Sequence, residues 1–276
     1  MRRIISNAGV ATGLALLILI LSAAVFAGAL APHDPLRANP AMRDLGLFTP
    51  GYLLGTDELG RDILSRLLFG ARLALLVAVV PTAISLAIGG CIGLAVGYAG
   101  GVWDSATMRL FDVLFAFPGI LLALGVGVAL GAGLSSMIVA MVVVTIPAFG
   151  RMVRGGVLAA KEELYVEAAR VLGYSHWRVA ARHILPNILG PIVVYATLQT
   201  GRNVILAASL SFLGLGPQPP TPDWGQMLGG GRSALAFAPH IATIPGLAIV
   251  LLAIAFNLLG DGVRDLLDPR MSRQLP

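Results

Sequence analysis

Few residues in this chain have the types and spacing for chemistry, and the densest group is Asp57, Glu58, Arg61 and Asp62, with Gly60 inside it. Carboxylates this close suit hard metal ions. Arg61 and Arg66 alternate with the acids, however, so local ion pairing satisfies them, and the expected role is structural. A contact with another protein is the second reading. The histidines His33, His176, His183 and His240 share no metal-ligand spacing. The run Gly229-Gly230-Gly231 lacks the Gly-Lys-Ser or Gly-Lys-Thr ending of a phosphate-binding loop. No Gly-x-Ser-x-Gly elbow offers a nucleophile. The expectation is no catalytic residue, no cofactor and no metal held by this chain. Arg202 stands apart, because it lies deep in an apolar run, with Gln199 and Asn203 beside it. An ionisable residue there is costly unless it faces protein or water. It could meet a solute carboxylate by a charge-assisted contact, pair with a partner chain, or snorkel outward.

The elements that must position these residues are set by composition. Of 276 residues 57% are hydrophobic and 12% charged, against about 25% charged in a soluble domain. Such a chain has too little charged surface to stay dispersed in water, whereas a bilayer solvates apolar faces. The 34 glycines agree, since small residues let membrane helices approach closely. The net charge of +5 is dispersed among apolar runs, without aromatic interleaving, which excludes a nucleic-acid footprint. The single cysteine, Cys91, excludes a disulfide framework. Six runs long enough to span are read near Ala8–Ala31, Leu73–Gly97, Leu110–Leu130, Ser136–Phe149, Ile188–Leu210 and Ile241–Leu259. The first is too long for a signal-peptide core and is expected to remain as a membrane helix. With the N-terminus inside, twelve basic residues face the cytoplasm and six face outward, Arg202 being left within a span. Both termini are therefore expected in the cytoplasm. Gly89, Gly93, Gly97 and Gly101 recur every fourth residue and predict close packing within the chain in preference to a subunit contact.

Three connections are too long for turns: 32–72, 151–187 and 211–240. The middle one, cytoplasmic in this topology, carries two short helices. Leu164, Ala168, Val171 and Leu172 share one face of the first, Gly173 stops it, and Ser175 caps the second before Pro186. Ala168 and Ala169 leave room for a partner to approach.

Here Glu167-Ala168-Ala169, Gly173 and Leu185-Pro186 stand at the spacing of the cytoplasmic loop of bacterial ATP-binding-cassette importer permeases. The isoleucine of that pattern is replaced by His183, with Ile184 one place later, as in the peptide-importer branch. Leu54-Gly55-Thr56-Asp57-Glu58-Leu59-Gly60-Arg61-Asp62-Ile63, the stretch from Leu210 to Gly225, and Asn257-Leu258-Leu259-Gly260-Asp261-Gly262-Val263-Arg264-Asp265 resemble the dipeptide, oligopeptide and nickel permease family. The resemblance runs in order along nearly the whole chain. It departs at Ala208, where relatives often carry an acid.

The resemblance implies an all-α polytopic protein with six transmembrane helices and the type I importer permease fold, the second permease of its pair. Residues 1–72 would form a first helix and a periplasmic segment. Residues 73–276 would form the five-helix core, with coupling helices at about 158–186. It implies an inner-membrane permease that imports di- or oligopeptides. Partners would be a homologous second permease, two ATPases that bind ATP and magnesium, a periplasmic or lipid-anchored solute-binding protein, and lipid. Leu164, Glu167, Ala168, Ala169, Leu172 and Gly173 would couple to the ATPases. Import of nickel, a nickel chelate or glutathione is the alternative within transport. A non-transporting assembly or receptor protein is the alternative outside it.

Overall fold

The computed structural model describes residues 8–267. Among these the chain is helical, and its only β pairings are isolated bridges at Thr49–Tyr52 and Thr56–Asp62. The helices are α1 (Ala8–Val25), α2 (Ala27–Leu30), α3 (Ile63–Ala99), α4 (Gly101–Phe115), α5 (Gly119–Leu130), α6 (Leu134–Ala160), α7 (Leu164–Val171), α8 (His176–Val179), α9 (Leu185–Phe212), α10 (Trp224–Gly230) and α11 (His240–Leu267). A π turn, Ala180–Ile184, joins α8 to α9. By length and hydropathy, four elements can cross a membrane: α3, α6, α11, and α9 with its N-terminal extension.

The expected third span, Leu110–Leu130, is corrected to a broken one. The helices α4 and α5 meet at 89° and count as at most a fifth span. The cause is Pro118, which has no N–H to donate and disfavours the helical region for Phe117. Helix α1 is apolar but short, so the expected count of six is not reached by length alone. The second span begins earlier than expected because Asp62 caps α3, accepting from Ser65 N–H at 3.0 Å.

Interior prolines stand in α3, α6, α9 and α11 at Pro81, Pro147, Pro191 and Pro245. Membrane helices tolerate them where neighbouring groups take up the freed backbone. The closest seam joins α3 to α6. A Cβ built on Gly89 would stand 2.4 Å from the Ile146 carbonyl oxygen, and one on Gly93 would stand 2.3 Å from that of Gly150. Gly97 rests on Arg154 and Val157. The glycine stripe thus serves packing within the chain, as expected, except for Gly101, which starts α4 with open space around it. Buried polar groups tie α3 to α9, where Asn203 Nδ2 donates to Thr82 Oγ1 at 2.9 Å.

Two further cores fix the ends. Ile63, Trp224, Ile241 and Leu252 unite α3, α10 and α11 at the end that bears residues 32–62. Val157, Val166, Ala169, Val179, Ile184 and Ile188 seat α7 and α8 on α6 and α9 at the other end.

Gly93→Ala is expected to lower the thermal midpoint of detergent-purified protein by an amount equivalent to about 1–3 kcal/mol of overpacking. Gly90→Ala, whose new carbon would meet only Leu86 and Val153 at 3.6 and 3.8 Å, is expected to leave it unchanged. Equal midpoints for the two variants would remove the seam from the account.

Candidate functional site

At the loop-rich end, the acidic segment folds into a closed ion-pair cluster. Asp57 is 3% exposed and accepts from the backbone N–H of Leu59 and Arg61 at 3.0 and 2.9 Å and from Arg61 Nε at 2.7 Å. Arg66 Nε lies 3.5 Å from the same carboxylate. Glu58, half-buried, meets Arg61 at 3.6 Å. Gly60 is obligatory in this turn: its φ is +72°, and a Cβ would collide with the Asn39 carbonyl. The buried Arg66 also donates from Nη1 to the carbonyls of Pro35 and Pro220, at 3.0 and 3.3 Å, and so clasps two loops over α3. Asp223, which caps α10 through Gln226 N–H at 2.8 Å, completes the region. Burial pushes its carboxyl up from the usual range, against the hydrogen bonds from Gln226, Ser211 and Gly225 and the nearby Arg66 charge. With its arginines committed to internal carboxylates and carbonyls, the segment is built as a structural clamp.

At the opposite end, α7 and α8 form a knob with an inward and an outward apolar face. Val166 and Ala169 face the chain's own core, whereas Leu164, Val171 and Leu172 are 80, 82 and 71% exposed. Trp177 adds a further exposed ring at 76%. The expected apolar face of Leu164, Ala168, Val171 and Leu172 exists, and it points outward. Ala169 belongs to the inward face, because Val166 and Ala169 lie three residues apart on one side of the helix. Of the expected coupling range near 158–186, residues 158–160 finish α6. Glu167 and Ala168 are exposed. Gly173 ends α7 at φ +79° and donates its N–H to the Arg170 carbonyl at 2.9 Å. Ser175 caps α8, as expected.

Sequence reasoning missed what braces this knob. Tyr98, at the end of α3, meets His176 Nδ1 at 3.1 Å through its hydroxyl and lies under the Arg170 guanidinium at 5.5 Å. Arg154 holds Asp104 with two bonds, at 2.5 and 2.6 Å, and Arg151 holds Asp112. These pairs pin α4 to α6. The arginines were visible as loop charge, but nothing in their spacing named partners about 40 to 50 residues away.

In the helix region, Gln199 and Arg202 line an open groove of about 600 Å³ between α6 and α9. Arg202 is exposed in the isolated chain. Asn203 touches the groove but is fully buried, engaged with Thr82 and with Gln199 Nε2 at 3.4 Å. Ala208 packs in the core against Gly225.

An outward apolar knob on a multi-helix membrane body, carrying Glu-Ala-Ala and a left-handed glycine, is the arrangement against which comparison with known proteins is informative. Residues 89–273 match the family described as binding-protein-dependent transport system inner membrane component. The chain belongs to this family. It is an inner-membrane, multi-pass importer permease of the ATP-binding-cassette class, of the dipeptide, oligopeptide and nickel branch, and not itself an enzyme. It is 46% identical over 262 residues to the glutathione transport system permease protein GsiD of Escherichia coli O1:K1, covering 92% of this chain and 84% of that one. It is also 46% identical over 265 residues to the protein of that name from Pectobacterium atrosepticum, covering 96% and 88%.

Asp57→Ala is expected to reduce the yield of monodisperse protein far more than Glu58→Ala. Breaking a buried pair costs about 3–5 kcal/mol, against at most about 1 kcal/mol for an exposed one. Size-exclusion profiles of the two variants at matched expression decide this, and similar yields would contradict the clamp.

Proposed function

We propose that this permease imports small peptides delivered by an extracytoplasmic binding protein, coupled through the α7–α8 knob to two ATPase subunits that bind ATP and magnesium. The observation that carries the reading is the outward ridge of Leu164, Val171, Leu172 and Trp177, which has no cover among the described residues. Apolar groups this exposed, on a rigidly seated element, fit a groove in a partner. Glu167 and Ala168 stand on the exposed surface beside the ridge, and Gly173 shapes its end. Ala169 supports the ridge from beneath.

A homologous second permease would enclose the path with this chain, and lipid would cover the rest. Residues 1–72 would act as a peripheral helix and periplasmic cap around the transporting core of 73–276. The excess of basic residues on the knob side supports a cytoplasmic knob and cytoplasmic termini. The clamp of Asp57, Gly60, Arg61 and Asp62 would then face the periplasm and shape the surface that receives the binding protein. Gln199 and Arg202 would border the solute path, with Asn203 as its supporting wall. Because the relatives at 46% identity are named for glutathione transport, glutathione is the first solute to test. Nickel chelates remain the second.

Ala168→Trp is expected to leave this chain folded, since the position is exposed, while abolishing ATPase co-purification and ATP-dependent uptake. Gly173→Pro should do the same, because proline fixes φ near −65° and removes the N–H that bonds Arg170. Glu167→Ala should cost less than tenfold in uptake, as an exposed charge would. The measurement is glutathione uptake with ATPase co-purification in membranes holding equal amounts of each variant. Wild-type behaviour of both Ala168→Trp and Gly173→Pro would defeat the coupling role.

A further inference from the structure

The groove between α6 and α9 holds one cation, Arg202, that no acid among the described residues answers. Tyr195, Gln199 and Arg202 follow one another at four and three residues and form a single stripe on α9. Across the groove stand Thr145 and Ala148 of α6. The second arginine of the groove, Arg151, is already compensated by Asp112 and covers the Phe115 ring at 4.4 Å. Asn203 is spent on Thr82. Arg202 forms no ion pair among the described residues. It lies ten residues from the end of α9 at Phe212, roughly 15 Å at 1.5 Å per residue, which is deep within a hydrocarbon layer about 30 Å thick. A guanidinium at that depth requires water and an anion, or a charged neighbour.

We propose that Arg202, with the Gln199 amide and the Tyr195 hydroxyl, forms a station in the solute path that binds the free carboxylate of a small peptide. The inference rests on the importer reading and deepens it by naming the solute class. The chemistry is specific. A guanidinium presents a planar fork of donors matched to a carboxylate, and Gln199 and Tyr195 add neutral donors along the same stripe. A groove of about 600 Å³ has the size of sites that hold ligands of this scale. Two carboxylates and one ammonium give glutathione the required charge. A peptide whose carboxylates are esterified lacks it.

The test uses the complete importer in membrane vesicles, with this chain's only cysteine replaced (Cys91→Ala) and a reporter thiol introduced opposite Arg202 by Ala148→Cys. Labelling of this subunit is timed with an anionic sulfonate and a cationic trimethylammonium methanethiosulfonate. With Arg202 present, the anionic reagent is expected to be favoured, and Arg202→Gln should lower the anionic-to-cationic rate ratio by about tenfold, a single charge contact in a low-dielectric groove. Arg202→Lys should retain most of the ratio, which separates loss of charge from loss of fold. S-methylglutathione should slow labelling when Arg202 is present and not in Arg202→Gln, and its dimethyl ester should slow neither.

An unchanged ratio, equal protection by the ester, or a thiol that neither reagent reaches would each overturn the station. So would loss of the second permease from purified Arg202→Gln complexes, which would mark Arg202 as an intersubunit ion pair. Failure of the importer reading looks different: wild-type vesicles would show no ATP-driven uptake whatever the labelling ratio.

Discussion

The structure depends on the direct contact of α3 with α6. At Gly89 and Gly93 the two backbones approach so closely that a single methyl group would overlap a carbonyl oxygen. Lipid tails are as apolar as any side chain, so helices in a bilayer gain little from mere burial, and close van der Waals packing takes over that role. The seam fixes the axis of α6, and α6 in turn carries Val153, Val157 and Ala160 into the core on which the knob is seated. On the proposed coupling role, motion of the knob would reach α6 through this core, α3 through the seam, and α9 through Thr82 and Asn203.

Charge is used at both ends for a related purpose. Arg66 gathers the carbonyls of Pro35 and Pro220 beside Asp57, so the two loops over α3 behave as one body. At the other end, Arg154 and Arg151 hold Asp104 and Asp112 and fasten the bent α4 to α6. Each guanidinium thereby joins segments that are distant in sequence. Arg202 forms no such pair among the described residues, and on that isolation the proposed carboxylate station rests.

How much of this was legible in the sequence follows from the range of each interaction. Periodic and local signals were readable: the apolar runs, the Ser175 cap, the glycine at 173, the four-residue glycine stripe, and the alternation of Asp57 with Arg61. The break at Pro118 was readable in principle, since proline restricts its predecessor, but the unbroken apolar run from Gly119 onward masked it. Which side of α7 faces inward could not be read, because both sides carry apolar residues, and only the position of Val157 and Ile184 in space decides for Val166 and Ala169. Likewise, nothing in the spacing of Gln199, Arg202 and Asn203 separates a buried asparagine from an exposed arginine one residue away. That distinction comes from the 100° turn between successive helical positions, set against a neighbour whose place the sequence does not state.

The central claim is that the exposed ridge of α7 sits in an ATPase subunit. A photoreactive benzophenone side chain placed at Val171, and in a separate variant at the equally exposed Phe48 of the opposite end, tests it most directly in the assembled complex. Irradiation is predicted to join the Val171 variant to an ATPase subunit and the Phe48 variant to none. An ATPase adduct from Phe48, or none from Val171 in complexes that retain their ATPases, would contradict the account.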